Sequence, residues 1–205
     1  MGKNLPQASR ATGKKPRFLV AEFYKSPGLL PEDLNRIAAA HEYREFKKGS
    51  LLLQEGQRAD AYYCLDLGMI RSFATNPSGD AITTGFTGPG EIAIEVASLF
   101  LGLPTEENMQ ALTDCRVWRI RLEAFQQLFN EIPAFATWGR EWMTQALLTH
   151  KLRALRMITE TARERYLRLQ EEQPEIVKVV PLKYIASYLG ITDSSLSRIR
   201  KEIRG

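Results

Sequence analysis

The chain has 205 residues, a formal net charge of +4 and 44% hydrophobic residues, which is room for one large domain or two small ones of ordinary globular composition. No apolar run approaches the roughly 20 residues of a membrane-spanning helix. The basic N-terminus has no apolar stretch behind it, so it does not read as a secretory signal, and a cytoplasmic location is expected.

The net charge hides an asymmetry. Residues 1–17 carry five Lys/Arg and no acid, residues 18–150 carry 11 Lys/Arg against 17 Asp/Glu, and residues 151–205 carry 12 against 7. A basic C-terminal quarter on an acidic body suits a polyanionic partner. Cys64 and Cys115 lie far apart and in no metal-type spacing, and read as buried or idle thiols.

Residues 1–17 are polar and aperiodic, a disordered tail by composition. Beyond Phe18, Pro31 suits a helix start, with Leu34, Ile37 and Ala38 on one face. From Tyr43 to Ile120 short apolar runs alternate with turn residues. Leu51–Leu53, Tyr62–Leu65, Met69–Phe73, Ala81–Phe86 and Ile92–Val96 are candidate strands, and Met109–Ile120 supplies one or two more. The run Asn76-Pro77-Ser78-Gly79-Asp80 is a turn, with a Pro-fixed φ followed by a Gly free to take positive φ. Strands at this spacing mean an antiparallel roll, barrel or sandwich.

After Arg121 the texture is helical. Ala124, Phe125, Leu128 and Phe129 line a helix that Pro133 stops. Ala134 to about Met157 reads as one long helix. Phe135, Trp138, Trp142, Thr149 and Leu152 fall near one stripe, while Met143, Leu147, Leu148 and Leu155 spread over a wider sector. One stripe can cover the strands. The apolar surplus needs a partner, and a second copy of the helix is the economical one. That pairing is expected near Trp138, Trp142, Thr149 and Leu152. Ile158–Glu172 forms another helix, with Glu160–Arg163 and Glu164–Arg168 as opposite-charge pairs.

The stretch from Pro181 to Ile203 reads as helix, tight turn, helix. Ile185 and Leu189 supply a buried face, and Ala186 is small where two helices cross. Gly190 suits the left-handed closing position, Thr192 an N-cap, and Asp193 the positive end of the helix dipole. In the second helix Leu196, Ile199 and Ile203 form an inner stripe. At about 100° per residue, Ser194, Arg198 and Lys201 lie opposite. A small-polar and basic outer face is what a major groove accepts: hydroxyls permit close approach, Arg takes guanine bidentately, and Lys neutralises phosphate. The candidate DNA-contacting set is Thr192, Asp193, Ser194, Ser195, Ser197, Arg198 and Lys201.

With these residues in view the chain resembles the Crp/Fnr family of bacterial regulators. One block of resemblance runs through Phe46–Gln57, Tyr62–Arg71 and Gly88–Ile92, and the other is the helix-turn-helix. The resemblance implies an α+β chain: a jelly-roll-like antiparallel β-roll sensory domain over 18–133, a dimerisation helix over 134–157 and a DNA-binding helix-turn-helix domain over 158–205. It further implies a homodimer on double-stranded DNA, with RNA polymerase as a further candidate partner.

Two departures from the family pattern bear on function. In members that bind cyclic AMP, a Gly-Glu pair opens the phosphate-binding segment and a later Arg neutralises the phosphate. Here Gly90, Glu91 and Ile92 stand at the opening, but the Arg position falls on Thr105, followed by Glu106 and Glu107. No Arg or Lys occurs between Arg71 and Arg116. These five residues, Gly90, Glu91, Ile92, Thr105 and Glu106, are the candidate effector pocket. Its expected occupant is an unknown small molecule other than cyclic AMP, because a phosphate facing carboxylates without a cation is unfavourable. Near the DNA end, Val177–Val180 could form an edge strand toward a wing, and Asp193 and Ser194 replace longer base-reading side chains.

Other classes fit less well. Cupin-like metal enzymes need clustered ligands, whereas only His41 and His150 are present, neither within a strand, and both read as helix-surface residues. No enzyme activity and no cofactor are expected. A cyclic-nucleotide-domain module that does not act on DNA is the alternative, and it leaves the helix-turn-helix unexplained.

Overall fold

The computed structural model describes residues 17–204, so the expected tail lies outside the described residues apart from Arg17, which opens the first helix. In chain order the elements are α1 (Arg17–Phe23), α2 (Pro31–Ala39), β1 (Glu42–Phe46), β2 (Leu51–Leu53), β3 (Ala61–Leu67), β4 (Ile70–Thr75), β5 (Ala81–Thr87), β6 (Ile92–Ala93), α3 (Val96–Leu101), β7 (Asn108–Ala111) and β8 (Cys115–Arg121). Then follow α4 (Leu122–Glu131), α5 (Pro133–Thr159), α6 (Ala162–Glu172), α7 (Pro174–Val179), α8 (Leu182–Tyr188) and α9 (Asp193–Arg204).

The strands form two four-stranded antiparallel sheets, ordered β1-β8-β3-β6 and β2-β7-β4-β5. The two-residue period of a strand explains how the roll is filled. Tyr63 and Leu65 of β3, with Cys115 and Val117 of β8, meet Leu53, Ile70, Met109 and Ala111 of the other sheet. Their alternates, Tyr62, Cys64, Trp118 and Ile120, face outward and are covered by α1, α2, α4 and α5. β3 is therefore buried on both faces, which is why it reads as an unbroken apolar run.

The turn at Asn76–Asp80 closes as its residues dictate. Asn76 Oδ1 accepts from the amides of Ser78 and Asp80, and Gly79 has φ +87°. A bulge in the β4–β5 pairing leaves Thr84 as the extra residue of β5: Ser72 opposes Gly85 and Phe73 opposes Thr83.

Three expectations are corrected. The long helix runs to Thr159, and the next begins only at Ala162, because Thr161 and Glu164 form a reciprocal capping box there. Glu160 is thus outside α6 and pairs with Arg168 at 2.6 Å, not with Arg163, while Glu164 is occupied by the cap. Val177–Val180 is not a strand. Pro174 at the first position starts α7, and Ile176 and Val180, one helical turn apart, both enter the core of the C-terminal helices. Ile92–Val96 is strand only at Ile92–Ala93, since Glu95 caps α3 by accepting from the Ser98 amide at 2.6 Å.

His41 is also corrected, from a surface residue to a buried one at 1% exposure. Its Nδ1 lies 2.7 Å from the Ile37 carbonyl, an acceptor only, so Nδ1 carries the proton and Nε2 accepts from Tyr24 OH at 2.7 Å. Tyr62 OH and Cys64 Sγ converge on the same Tyr24 oxygen at 2.9 and 3.3 Å. Burial pushes the Cys64 thiol up to about 12, as befits a packed thiol.

Burial lowers His41 to about 4 from its ordinary 6.5, outweighing the Ile37 contact. The unfolded chain therefore takes up this proton more readily than the folded one. No penalty exists above pH 6.5; destabilisation grows as pH falls from 6.5 toward 4 and reaches about 3 kcal/mol. Urea denaturation at pH 7 and pH 4.5 should show this loss, and His41→Gln should remove most of the difference between the two pH values.

Candidate nucleic-acid interface and effector cavity

The C-terminal helices share one core, in which Tyr166 and Leu169 of α6 and Ile176 of α7 meet Ile185 and Ala186 of α8 and Leu196 and Ile199 of α9. Gly190 closes α8 with φ +69°. That conformation is available to Gly without steric cost, and a Cβ there would meet Met157 Cε at 2.7 Å. Thr192 caps α9 by accepting from the Ser195 amide at 3.2 Å, and its hydroxyl also contacts Ser194 Oγ and Ser195 Oγ at 2.9 and 3.0 Å.

Leu196 and Ile199 are buried and Ile203 is half-buried on the inner side of α9. Thr192, Asp193, Ser194, Ser197, Arg198 and Lys201 are all exposed on the other side, and Ser195 is half-buried beside the cap. The helix thus presents two hydroxyls, Ser194 and Ser197, and two cations, Arg198 and Lys201, with no described side chain covering them.

A cavity of about 580 Å³ lies between the roll and α5. Its roll side includes Thr84, Phe86, Gly90, Glu91, Ile92 and Glu107, its α5 side Trp142, Thr149, His150 and Arg153, and its far end Gln173 and Tyr188. Glu91 is held in its own turn by accepting from the Gly88 amide at 2.6 Å, and the Gly90 amide donates to the Leu65 carbonyl at 2.8 Å. Burial raises the Glu91 and Glu107 carboxyls above the usual range, against the Gly88 amide in the first case and Thr84 in the second.

Of the five residues expected at an effector pocket, Gly90, Glu91 and Ile92 line this cavity. Thr105 and Glu106 do not. Thr105 is buried within its own turn, where its hydroxyl bridges the amide and carbonyl of Glu107, and Glu106 is exposed. Glu107 takes the wall position instead.

Neither arginine flanking the cation-free stretch reaches in. Arg71 points to Thr83 and Ala81, and Arg116 pairs with Asp66 at 3.1 Å. The cation in the cavity wall is Arg153, from α5. A signal for it existed: Trp142, Ala146, Thr149, Arg153 and Arg156 continue the inward stripe at steps of three and four, with arginines where apolar residues belong.

The residues expected at a helix–helix seam are divided by the structure. Trp138 is buried in its own chain's core, stacked on Phe135 at 5.3 Å and edge-on to Tyr24 at 4.5 Å. Trp142 packs partly on that core, and Thr149 lines the cavity. Leu152 is exposed, as is Thr149 at the cavity's edge, and Leu152 faces out together with Met143, Leu147, Leu148, Leu155 and Ile158, of which Leu147 is 71% and Ile158 85% exposed.

These features define a class: a β-roll joined by a long helix, with a cavity between the two, to a C-terminal helix-turn-helix. Comparisons narrow it. Residues 43–131 match the family model described as a cyclic nucleotide-binding domain. The cyclic AMP receptor protein of Thermus thermophilus is 26% identical over 165 residues, covering 80% of this chain and 70% of that protein. The transcriptional activator protein Anr of Pseudomonas protegens is 27% identical over 125 residues, covering 60% of this chain and 49% of that protein, so the chain matches about half its length. The structure of FixK2 from Bradyrhizobium japonicum superposes with a TM-score of 0.68 at 20% identity, over 80% of this chain and 84% of that one. The chain is thus similar to regulators of the Crp/Fnr type and carries a cyclic nucleotide-binding domain over residues 43–131.

Proposed function

We propose that the chain is a homodimeric, sequence-specific DNA-binding transcription regulator whose cavity takes a small-molecule effector other than cyclic AMP. The observation that carries the DNA reading is the division of α9 into a buried apolar side and an open side bearing Ser194, Ser197, Arg198 and Lys201. Basic charge draws the duplex, hydroxyls permit approach, and Arg198 supplies the bidentate donor for a guanine edge. Thr192, Asp193 and Ser195 stand at the N-terminal end of α9, the end that meets base edges in this mode of docking.

Arg198→Ala should cost roughly 1–3 kcal/mol at a selected duplex and relax the preference at one base pair. Lys201→Ala should weaken all duplexes alike and flatten the salt dependence. Gel shift across a salt series separates the two effects. Two normally folded variants that bind as tightly as the wild type would overturn the assignment of α9.

The dimer reading rests on the outward apolar residues of α5 rather than on Trp138. Aliphatic side chains at Met143, Leu147, Leu155 and Ile158 are too exposed for a solitary helix, and a twofold-related copy buries them. Light scattering should report twice 23.3 kDa. Leu147→Glu should shift the chain toward monomer at micromolar concentration without altering the fold.

The effector reading rests on charge. Glu91 and Glu107 face the cavity, and its cation Arg153 is already engaged by the carbonyls of Thr84 and Tyr188. A cyclic phosphate must shed water, approach two carboxylates and pull Arg153 from these acceptors. Calorimetry should therefore detect no heat with cyclic AMP or cyclic GMP at millimolar concentration. Micromolar binding that also changes DNA affinity would show that Arg153 swings to the phosphate, and would overturn this reading. In the same reading the protein works in the cytoplasm, with RNA polymerase as a candidate partner on DNA.

A further inference from the structure

Strand β5 is the last strand of its sheet, with only β4 beside it. Groups on its outer side are met by other parts of the chain. The Thr83 amide donates to Ser187 Oγ of α8 at 2.9 Å. The carbonyl of Thr84, the extra residue of the bulge, accepts from Arg153 Nη1 of α5. Arg153 Nη2 donates to the Tyr188 carbonyl at 3.3 Å, and its guanidinium lies 4.1 Å from the centre of the Tyr188 ring. Phe86 of β5 packs on the same ring at 5.1 Å.

A second arginine works from the other side. Arg71 of β4 is 2% exposed. Its Nε donates to Thr83 Oγ1 at 2.8 Å and its Nη2 to the Ala81 carbonyl at 2.8 Å. The guanidinium sits between two rings, 4.4 Å from Phe73 of its own strand and 3.9 Å from Tyr184 of α8. Among the described residues neither arginine has a carboxylate within 4.0 Å. Their fixed partners are roll carbonyls, a roll hydroxyl, the Phe73 ring, and the rings and one carbonyl of α8. Guanidinium on an aromatic face is directional as well as attractive.

We propose that Arg71 and Arg153 are positioning residues for DNA recognition: they clasp α8 to the edge of the roll and so fix the direction in which α9 is presented. The two helices share Ile185, Ala186, Leu196 and Ile199 in one core, so α9 follows α8. Arg153 belongs at once to α5, to the β5 edge and to the cavity wall. An occupant that takes this side chain loosens the clasp. The proposal rests on the reading of α9 as the DNA-contacting helix of a dimer. In a dimer the angle of each recognition helix sets the half-site spacing, since the two must enter grooves one helical turn apart.

The test uses the full-length wild type to select a duplex from a random pool. Affinity is then measured for that duplex, for versions with the half-sites moved by one base pair either way, and for a random duplex. Arg71→Met with Arg153→Met should bind the random duplex within about twofold of wild type, lose roughly tenfold at the selected duplex, and discriminate far less against shifted spacing. Arg153→Lys, which keeps the charge but not the planar stack, should fall between. Random-duplex affinity controls for lost positive charge, and loss of spacing discrimination is a change that mere destabilisation would not make. Should the buried Arg71 site not tolerate methionine, Arg153→Met alone carries the same expectation at a half-buried position. Folded variants that keep the wild-type spacing preference would overturn the clasp while leaving the DNA reading intact. A wild-type chain that selects no duplex would overturn both.

Discussion

One helix has to satisfy three surroundings in 27 residues, and the rest of the molecule is arranged around that constraint. Its first turns are a structural wall of the roll, where Phe135 and Trp138 complete an aromatic cluster with Tyr24. Its middle turns close a cavity with Trp142, Thr149 and Arg153. Its outer side carries exposed Leu147, Leu155 and Ile158 throughout. Such a helix has little amphipathic character when averaged over its length, because apolar side chains occur on its outer side as well as its inner one. The roll, the cavity and the helix-turn-helix are held in one frame because each borrows a different stretch of the same rigid rod.

Much of this was legible in the sequence for identifiable reasons. Strands could be placed because apolar runs were bounded by turn chemistry, as at Asn76–Asp80. The two C-terminal helices were visible because Gly190, Thr192 and the Leu196–Ile199–Ile203 stripe each encode a local rule. What failed was tertiary choice between locally equal options. Val177, Val179 and Val180 are β-branched and read as strand, yet Pro174 and the spacing of Ile176 and Val180 favour a helix once a helical core is available. Trp138 and Trp142 were expected at a seam between chains because the helix carries an apolar surplus, but periodicity cannot say which apolar side chain meets which partner, and Trp138 is buried in its own chain's core.

The cavity was the least legible part. Local counting placed a pocket residue at Thr105, whose hydroxyl is in fact used inside its own turn. Searching the strands for a cation found none because the cation comes from a helix distant in sequence. His41 was misread for the reverse reason: a lone histidine at a helix end reads as a surface residue, whereas Tyr24 and Ile37 supply both its hydrogen bonds in the interior. Buried polar groups are specified by partners that arrive from elsewhere in the chain.

The covering of β5 has a consequence for cutting the protein into pieces. A fragment ending after α5 would keep both sheets but lose Ser187 and Tyr188, freeing the Thr83 amide and uncovering Phe86 on an edge strand that already exposes Ile82. An uncapped edge with apolar side chains is a template for strand addition by another molecule. The C-terminal helices therefore act toward the roll as an intramolecular solubility shield, and the two halves, separable on paper, are a poor choice for separate expression.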